Sequence, residues 1–290
     1  MINLIATDMD GTLLNAAHEI SEENIKAIKY AQSQGITVVI ATGRAFYEAN
    51  SPVNQTDLKL PYICLNGAEV RDESFNIMST SNLNRELINR ITNELKSEDI
   101  YYQVYTNLGI YTENPQRDLE IYIDIAERAG QKADVEKIKA GIQKRIDNGT
   151  LKVVDNYDKI EDTPGEIVMK ILAFDSDLAK IDRVSEKLAQ SESLAISSSS
   201  RGNIEILLAD AEKGIAVESF SERFNIVMEK VTAIGDNMTD ISMLERVGYS
   251  VSMANAAPEV KAVATYTTDS NEESGVGKAI MKLLQENNKK

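Results

Sequence analysis

Two carboxylates, Asp8 and Asp10, stand in the segment Asp8-Met9-Asp10-Gly11-Thr12, directly after a short apolar run from Ile2 to Thr7. Ile2, Leu4, Ile5 and Ala6 carry that run, which reads as a buried strand, and the apolar character stops abruptly at Asp8. Side chains of an extended chain alternate faces, so Asp8 and Asp10 point one way while Met9 points into the protein. Gly11 then lets the backbone turn sharply away. Two carboxylates about 4 Å apart repel by roughly 4 kcal/mol at an effective dielectric of about 20. A cation must relieve that repulsion. Carboxylate and carbonyl oxygens are hard ligands that suit Mg²⁺, which keeps waters and substrate phosphate in its shell. The bland alternative is a solvated turn; a strand before the pair and Gly-Thr after it favour chemistry.

The elements that position this pair follow in a strand and helix alternation. Ser21 reads as an N-cap, with Ile20 and Ile25 as a hydrophobic staple, Glu22 and Glu23 at the positive end of the helix, and Gly35 at its close. Ile36 to Ala41 is a continuous β-branched run of the kind found in parallel strands covered on both faces, and Thr42-Gly43-Arg44 comes straight after it. Tyr62 to Leu65 reads as a third strand, and Asn66-Gly67 as a turn that opens a small hairpin through Val70 and Ile77. The alternation resumes at Lys213-Gly214, which opens a helix, and at the strand Val231 to Ile234, which runs into Gly235-Asp236-Asn237-Met238-Thr239-Asp240. Further helices after Asp240, Pro258 and Gly277 and strands at Tyr249 to Met253 and Tyr266 complete it. The fold class is therefore α/β: residues 1–82 and 207–290 form one doubly wound, Rossmann-like parallel sheet, and residues 83–206 are an inserted α/β unit.

Within the insertion, Leu83 to Leu95 is helix-spaced, and Tyr101, Tyr102, Val104, Tyr105, Ile110 and Tyr111 crowd aromatics into strand-like pieces. The charged stretch from Arg117 to Lys144 reads as two surface helices. Strands at Leu151 to Val154 and Ile167 to Phe174, a helix from Leu178 to Leu188, and a hairpin around Arg201-Gly202 follow. The tyrosines read as the core of a small domain rather than as a binding platform.

Composition narrows the partners. Against 46 Asp and Glu, the 31 Lys and Arg leave a net charge of −15, so neither nucleic acid nor an anionic membrane finds the basic footprint it needs. A negatively charged substrate then requires local cations. The single Cys64 excludes an internal disulfide and fits a reducing compartment. Met1 is followed by a strand pattern rather than a charged segment with an apolar stretch of roughly 7 to 15 residues, and no apolar run approaches the ~20 residues of a membrane span. A cytoplasmic location is expected. The lone His18 lies in a polar loop and reads as a solvated or flap residue, which turns the chemistry away from histidine. No feature specifies an oligomeric state.

Ligands of open parallel sheets bind beyond the carboxyl ends of the strands. Asp8, Thr42 and Asp236 each follow such a strand, and Lys213 stands at a helix start. Together they offer acids for a divalent cation, a hydroxyl and backbone N–H for an anion, and an ammonium for charge balance. A phosphoryl transition state spreads charge over three equatorial oxygens, so cations and positioning supply most of its stabilisation.

These motifs resemble the haloacid dehalogenase superfamily, and within it the Cof-type phosphatases with a large cap. The likeness spans the chain: D-M-D-G-T-L-L at 8–14, A-T-G-R at 41–44, N-G-A at 66–68, E-K-G at 212–214 and G-D-N-M-T-D at 235–240. The resemblance implies that Asp8 is the nucleophile forming an aspartyl-phosphate, and that Asp10 protonates the leaving oxygen and then activates water. It further implies that the Met9 backbone N–H, Thr42, Gly43 and Thr239 contact the phosphoryl group and that Lys213 neutralises Asp8 and phosphate. Asp8, the Asp10 backbone carbonyl and Asp236 would hold Mg²⁺, with Asp240 behind them and Arg44 and Asn66 at the interface with the cap. Two departures from the family pattern stand out, Thr239 in place of the usual Asn and Ala254 in place of the usual Gly. The expected activity is hydrolysis of a small phosphorylated metabolite of sugar-phosphate, flavin-precursor or pyridoxal-phosphate type. A phosphomutase would return the phosphoryl group to a second hydroxyl, and a silent sugar-phosphate sensor would have lost Asp8 or Asp10. A receiver domain would lack both the second acid and the insertion. The cap is expected to close over the strand ends about hinges near 80–84 and 206–212, and to select the metabolite.

Overall fold

The computed structural model describes residues 2–128, 132–160, 162–198 and 201–287. The chain divides into two compact units, residues 1–80 with 210–290 and residues 81–209. The first begins with β1 (Leu4–Thr7), α1 (Glu22–Ser33), β2 (Thr37–Ala41), α2 (Phe46–Val53), β3 (Tyr62–Cys64), β4 (Glu69–Arg71) and β5 (Ile77–Thr80). Ser21 caps α1 through its side chain, which accepts from the Asn24 N–H, and Gly35 with φ +77° follows the last turn. Helix α2 has no counterpart among the sequence expectations. Its N-cap is Ala45, without a capping side chain, and Pro52 lies inside it, so the local signals read as loop. Strand β3 stops one residue short of the expected Leu65, because Leu65 and Asn66 turn into the left-handed region with φ 50° and 54°.

The inserted unit comprises α3 (Arg85–Ser97), β6 (Tyr101–Thr106), β7 (Gly109–Thr112), α4 (Pro115–Arg128), α5 (Val135–Asp147), β8 (Leu151–Val153), β9 (Val168–Phe174), α6 (Leu178–Leu188), β10 (Leu194–Ser197) and β11 (Asn203–Leu208). The first unit resumes with α7 (Lys213–Arg223), β12 (Val231–Gly235), α8 (Ile241–Arg246), β13 (Tyr249–Ser252), α9 (Pro258–Val263), β14 (Tyr266–Thr267) and α10 (Gly275–Asn287).

The eight-stranded sheet of the first unit runs β14-β13-β12-β1-β2-β3-β4-β5. Its strands are parallel from β14 to β3, and β4 and β5 add an antiparallel edge. Strand β1 sits between β12 and β2, with Thr7 level with Ile234 on one side and Ile40 on the other. Leu4, Ile5 and Ala6 are fully buried, as a strand covered on both faces requires. The chain winds from β1 through β2 to β3 on one side and through β12 to β14 on the other, so β1 and β12 flank the switch point of the sheet.

The inserted unit has its own sheet, ordered β10-β11-β9-β6-β7-β8. One face carries its hydrophobic core, in which Leu83, Ile91, Leu95, Tyr102, Tyr111, Tyr157, Ile171, Val184, Leu188 and Ile206 pack together. Of the four clustered tyrosines, Tyr102 and Tyr111 are thus in this core, joined there by Tyr157. The alternate positions on the strands carry buried polar groups. Tyr101 Oη and Gln103 Nε2 both donate to Asp118 Oδ1, and Lys170 pairs with Glu205 at 2.9 Å while lying 5.3 Å from the centre of the Tyr105 ring. Among the described residues no helix is long and apolar enough to cross a membrane.

The buried Lys170–Glu205 pair generates a stability test. Removing one partner of a buried pair leaves an uncompensated charge and costs about 3–5 kcal/mol. Lys170→Met should therefore lower the urea midpoint of the inserted unit strongly. Adding Glu205→Leu to it should recover most of the loss, as tyrosine fluorescence will report.

Candidate active site

Asp8 follows the last residue of β1 and continues the ladder, its N–H donating to Ile234 O at 2.9 Å. Asp8 as a whole is only 4% exposed. Lys213, the first residue of α7 and 2% exposed, donates through Nζ to Asp8 Oδ1 at 2.7 Å and to Asp240 Oδ1 at 2.6 Å. Asp240 is fully buried, and its Oδ2 accepts the backbone N–H groups of Asp236 and Asn237, both at 2.9 Å. The turn after β12 is thereby closed by a reciprocal capping arrangement between Asn237 and Asp240. Gly214 lets α7 come this close: a Cβ there would lie 2.3 Å from the Ser242 carbonyl oxygen.

Asp236 is half-buried at the end of β12 and accepts a 2.6 Å hydrogen bond from Thr12 Oγ1 on Oδ1. Gly11 lies against it with φ +75°, and a Cβ there would meet Asp236 Oδ2 at 2.4 Å. Both the left-handed backbone and the close approach exclude a side chain at this position. The turn is held from elsewhere too, since Asn255 Nδ2 donates to the Gly11 carbonyl at 2.7 Å and the Leu14 N–H to Met9 O at 2.9 Å.

Carboxylate oxygens of Asp8, Asp236 and Asp240 lie within 4.8 Å of one another. Three acids against one ammonium leave two negative charges without local compensation when all are ionised. Burial, then the charge of Asp240, raises the Asp8 carboxyl well above the usual range, against the pull of Lys213. Burial likewise pushes Asp236 up to about 6, opposed by its hydrogen bond from Thr12. For Lys213 burial acts downward, and Asp240 followed by Asp8 outweighs it and raises the ammonium. A hard divalent cation fits this donor set. Asp8 and Asp236 would hold it with the Asp10 carbonyl, since both oxygens of Asp240 are already engaged by Lys213 and two backbone amides.

The Asp10 side chain is half exposed and meets Arg44. The guanidinium grips the carboxylate through both oxygens, Nε to Oδ2 at 2.7 Å and Nη2 to Oδ1 at 2.5 Å. Arg44 Nη2 also lies 3.5 Å from His18 Nδ1, so the lone histidine is beside the site. Thr42, 1% exposed, directly follows β2: its N–H donates to Ile63 O at 2.8 Å and its Oγ1 accepts the Arg44 N–H at 3.2 Å. Gly43 and Asn66 are adjacent, since a Cβ on Gly43 would lie 3.0 Å from Asn66 Oδ1, and the Asn66 N–H donates to Thr42 O. Met9 is fully buried. Thr239 is half-buried in the turn after β12, its N–H donating to Asn237 Oδ1; among the described residues no hydrogen bond joins its hydroxyl to the acids. Thr12 and Asn255 escaped the sequence analysis. Their only signals were D-G-T and M-A-N-A, which locate turns but not the partners of their side chains.

Raised carboxyl pKa values set a sign for stability. A group that holds its proton more tightly when folded makes the folded state bind more protons, so metal-free stability falls as pH rises from about 4, the ordinary Asp value, through about 6. A bound cation relieves the same repulsion. The gain in melting temperature on replacing chelator with millimolar Mg²⁺ should therefore be larger at pH 7.5 than at pH 5. Equal gains, or none at pH 7.5, would contradict a cation at these carboxylates.

The model of the haloacid dehalogenase-like hydrolase family matches residues 5–280. A Bacillus subtilis relative named 5-amino-6-(5-phospho-D-ribitylamino)uracil phosphatase YwtE is 34% identical over 281 residues, covering 97% of each chain. A second from the same organism, Phosphatase YwpJ, is 32% identical over 285 residues, covering 98% of this chain and all of the relative. Among solved structures, a haloacid dehalogenase-like hydrolase from B. subtilis matches with a TM-score of 0.85 and 31% identity over 97% of this chain and 99% of that one. With its acids at the ends of adjacent parallel strands and this likeness along nearly its whole length, the chain belongs to the haloacid dehalogenase-like hydrolases.

Proposed function

We propose that this hydrolase is a cytoplasmic, Mg²⁺-dependent phosphatase that cleaves a small phosphorylated metabolite through an aspartyl-phosphate on Asp8. One observation carries the reading: a buried carboxylate at the end of β1, paired with a buried ammonium, with a second and accessible carboxylate two residues on. Lys213 holds Asp8 Oδ1, which leaves the other oxygen to attack phosphorus. The P–O bond to the leaving group breaks, and its electron pair stays on the leaving oxygen, which takes a proton from Asp10. Water then attacks the phosphorus of the aspartyl-phosphate and gives its proton to Asp10, and the bond to Asp8 breaks. Thr42 and the backbone around Gly43 and Met9 would orient the phosphoryl oxygens. Asp8, Asp236 and the Asp10 carbonyl would hold Mg²⁺, which would supply charge stabilisation for the phosphoryl oxygens.

The inserted unit is the part we assign to choosing the leaving group, and the acidic surface disfavours phosphorylated nucleic acids as substrates. A relative named for a ribitylaminouracil phosphate makes a flavin-precursor phosphate the first substrate to try, with hexose phosphates and pyridoxal phosphate beside it. Phosphate release from such a panel with Mg²⁺ is the test. No release from any member, with the protein folded and metal-loaded, would defeat the proposal.

Two substitutions check the roles. Asp8→Asn keeps the shape and removes the attacking charge, so turnover should fall by several orders of magnitude in protein that circular dichroism shows to be folded, although the lost partner of Lys213 will lower its stability. Asp10→Asn should cost far more with alkyl than with aryl phosphates, because a good leaving group needs little protonation. Equal losses on the two ester types would count against Asp10 as the acid.

A further inference from the structure

The fork between Arg44 and Asp10 has a geometry that a substrate-contacting arginine does not require. Both Asp10 oxygens are taken by one guanidinium, at 2.7 and 2.5 Å. The rest of Arg44 is anchored. Its N–H donates to Thr42 Oγ1, its carbonyl accepts the Leu65 N–H at 3.0 Å, and its Nη1 lies 3.5 Å from the Glu48 carbonyl. The arginine backbone is thus fixed in the turn after β2, while Asp10 sits on the turn after β1 with its carboxylate half exposed. A half-exposed carboxylate on a turn samples several rotamers unless something holds it. A bidentate guanidinium supplies one orientation as well as charge.

We infer that Arg44 is a positioning residue for Asp10: the two-point fork fixes the direction of its carboxylate. This rests on the reading of Asp10 as acid and base. In the first displacement the O–H bond of Asp10 breaks as the P–O bond to the leaving group breaks, and Arg44 faces the carboxylate that results. In the second, the same fork keeps that carboxylate aimed while water gives up its proton. Lysine would keep the charge and lose the planar two-point grip.

The experiment compares wild type, Arg44→Lys, Arg44→Gln, Asp10→Asn and the double variant Arg44→Lys with Asp10→Asn, each full-length with saturating Mg²⁺. Glycerol phosphate serves as a poor leaving group and p-nitrophenyl phosphate as a good one, and circular dichroism verifies each fold. Misaiming a catalytic group by about 1 Å costs on the order of a hundredfold. Arg44→Lys and Arg44→Gln should therefore lower kcat on glycerol phosphate by about ten- to a hundredfold, with KM changed less than about threefold and a smaller loss on p-nitrophenyl phosphate. In the Asp10→Asn background the Arg44 substitution should add less than about a twofold further loss, because residues acting as a unit are not additive. Wild-type kcat in Arg44→Lys, a rise in KM with kcat intact, equal losses on both esters, or losses that multiply in the double variant would each overturn the inference. The last three point to Arg44 holding substrate directly or serving the fold alone. If Asp10→Asn itself turns over glycerol phosphate normally, the acid and base reading fails first; if Asp10→Asn is impaired and the Arg44 losses multiply on it, that reading stands and only the role of Arg44 falls.

Discussion

A single ammonium buried between two buried carboxylates is the constraint on which the core of this protein turns. Lys213 begins α7, where the helix dipole disfavours a cation, and it is almost wholly removed from water. Only the pairing with Asp8 and Asp240 makes that position tolerable, and losing one partner of such a set costs about 3–5 kcal/mol. Asp240 in turn is held by the Asp236 and Asn237 amides, so the lysine, the turn after β12 and the end of β1 form one hydrogen-bonded body. The acids exceed the ammonium within that body. That excess of negative charge is what a divalent cation would balance.

The sheet explains how residues so distant in sequence reach one place. Strand β1 is paired on its two sides with β2 and β12, and all three run parallel, so Asp8, Thr42 and Asp236 leave the sheet at the same end. Small residues then permit the close approaches. Gly11 brings the turn after β1 against Asp236, and Gly214 brings α7 against α8, which carries the ammonium to the carboxylates. A methyl group at either glycine would force this machinery apart.

Much of this is legible in the amino-acid sequence. Periodicity located the parallel strands, because fully buried strands are written as unbroken β-branched runs such as Ile36 to Ala41, and the abrupt change to polar residues at Asp8, Thr42 and Asp236 marked their ends. Helix α2 was not legible, since Ala45 and Pro52 carry none of the usual start and stop signals and the helix is held by burial of Phe46, Ala49 and Val53. Nor were the side-chain pairings. That Arg44 grips Asp10, that Thr12 donates to Asp236 and that Asn255 holds Gly11 are contacts between segments whose local patterns are independent. Period and propensity describe a segment's own backbone, whereas these partners are chosen by the way the turns meet.

The central claim is that Asp8 carries the phosphoryl group between donor and water, and trapping that intermediate tests it most directly. In Asp10→Asn the breakdown of an aspartyl-phosphate is slowed because no base activates water, while an aryl phosphate still loads Asp8 without an acid. That variant, mixed with p-nitrophenyl phosphate and Mg²⁺, quenched in acid and reduced with borohydride, should yield a peptide in which Asp8 has become homoserine, as seen by mass spectrometry. An unmodified Asp8 after turnover, or a phosphoryl group found on any other residue, would contradict the account.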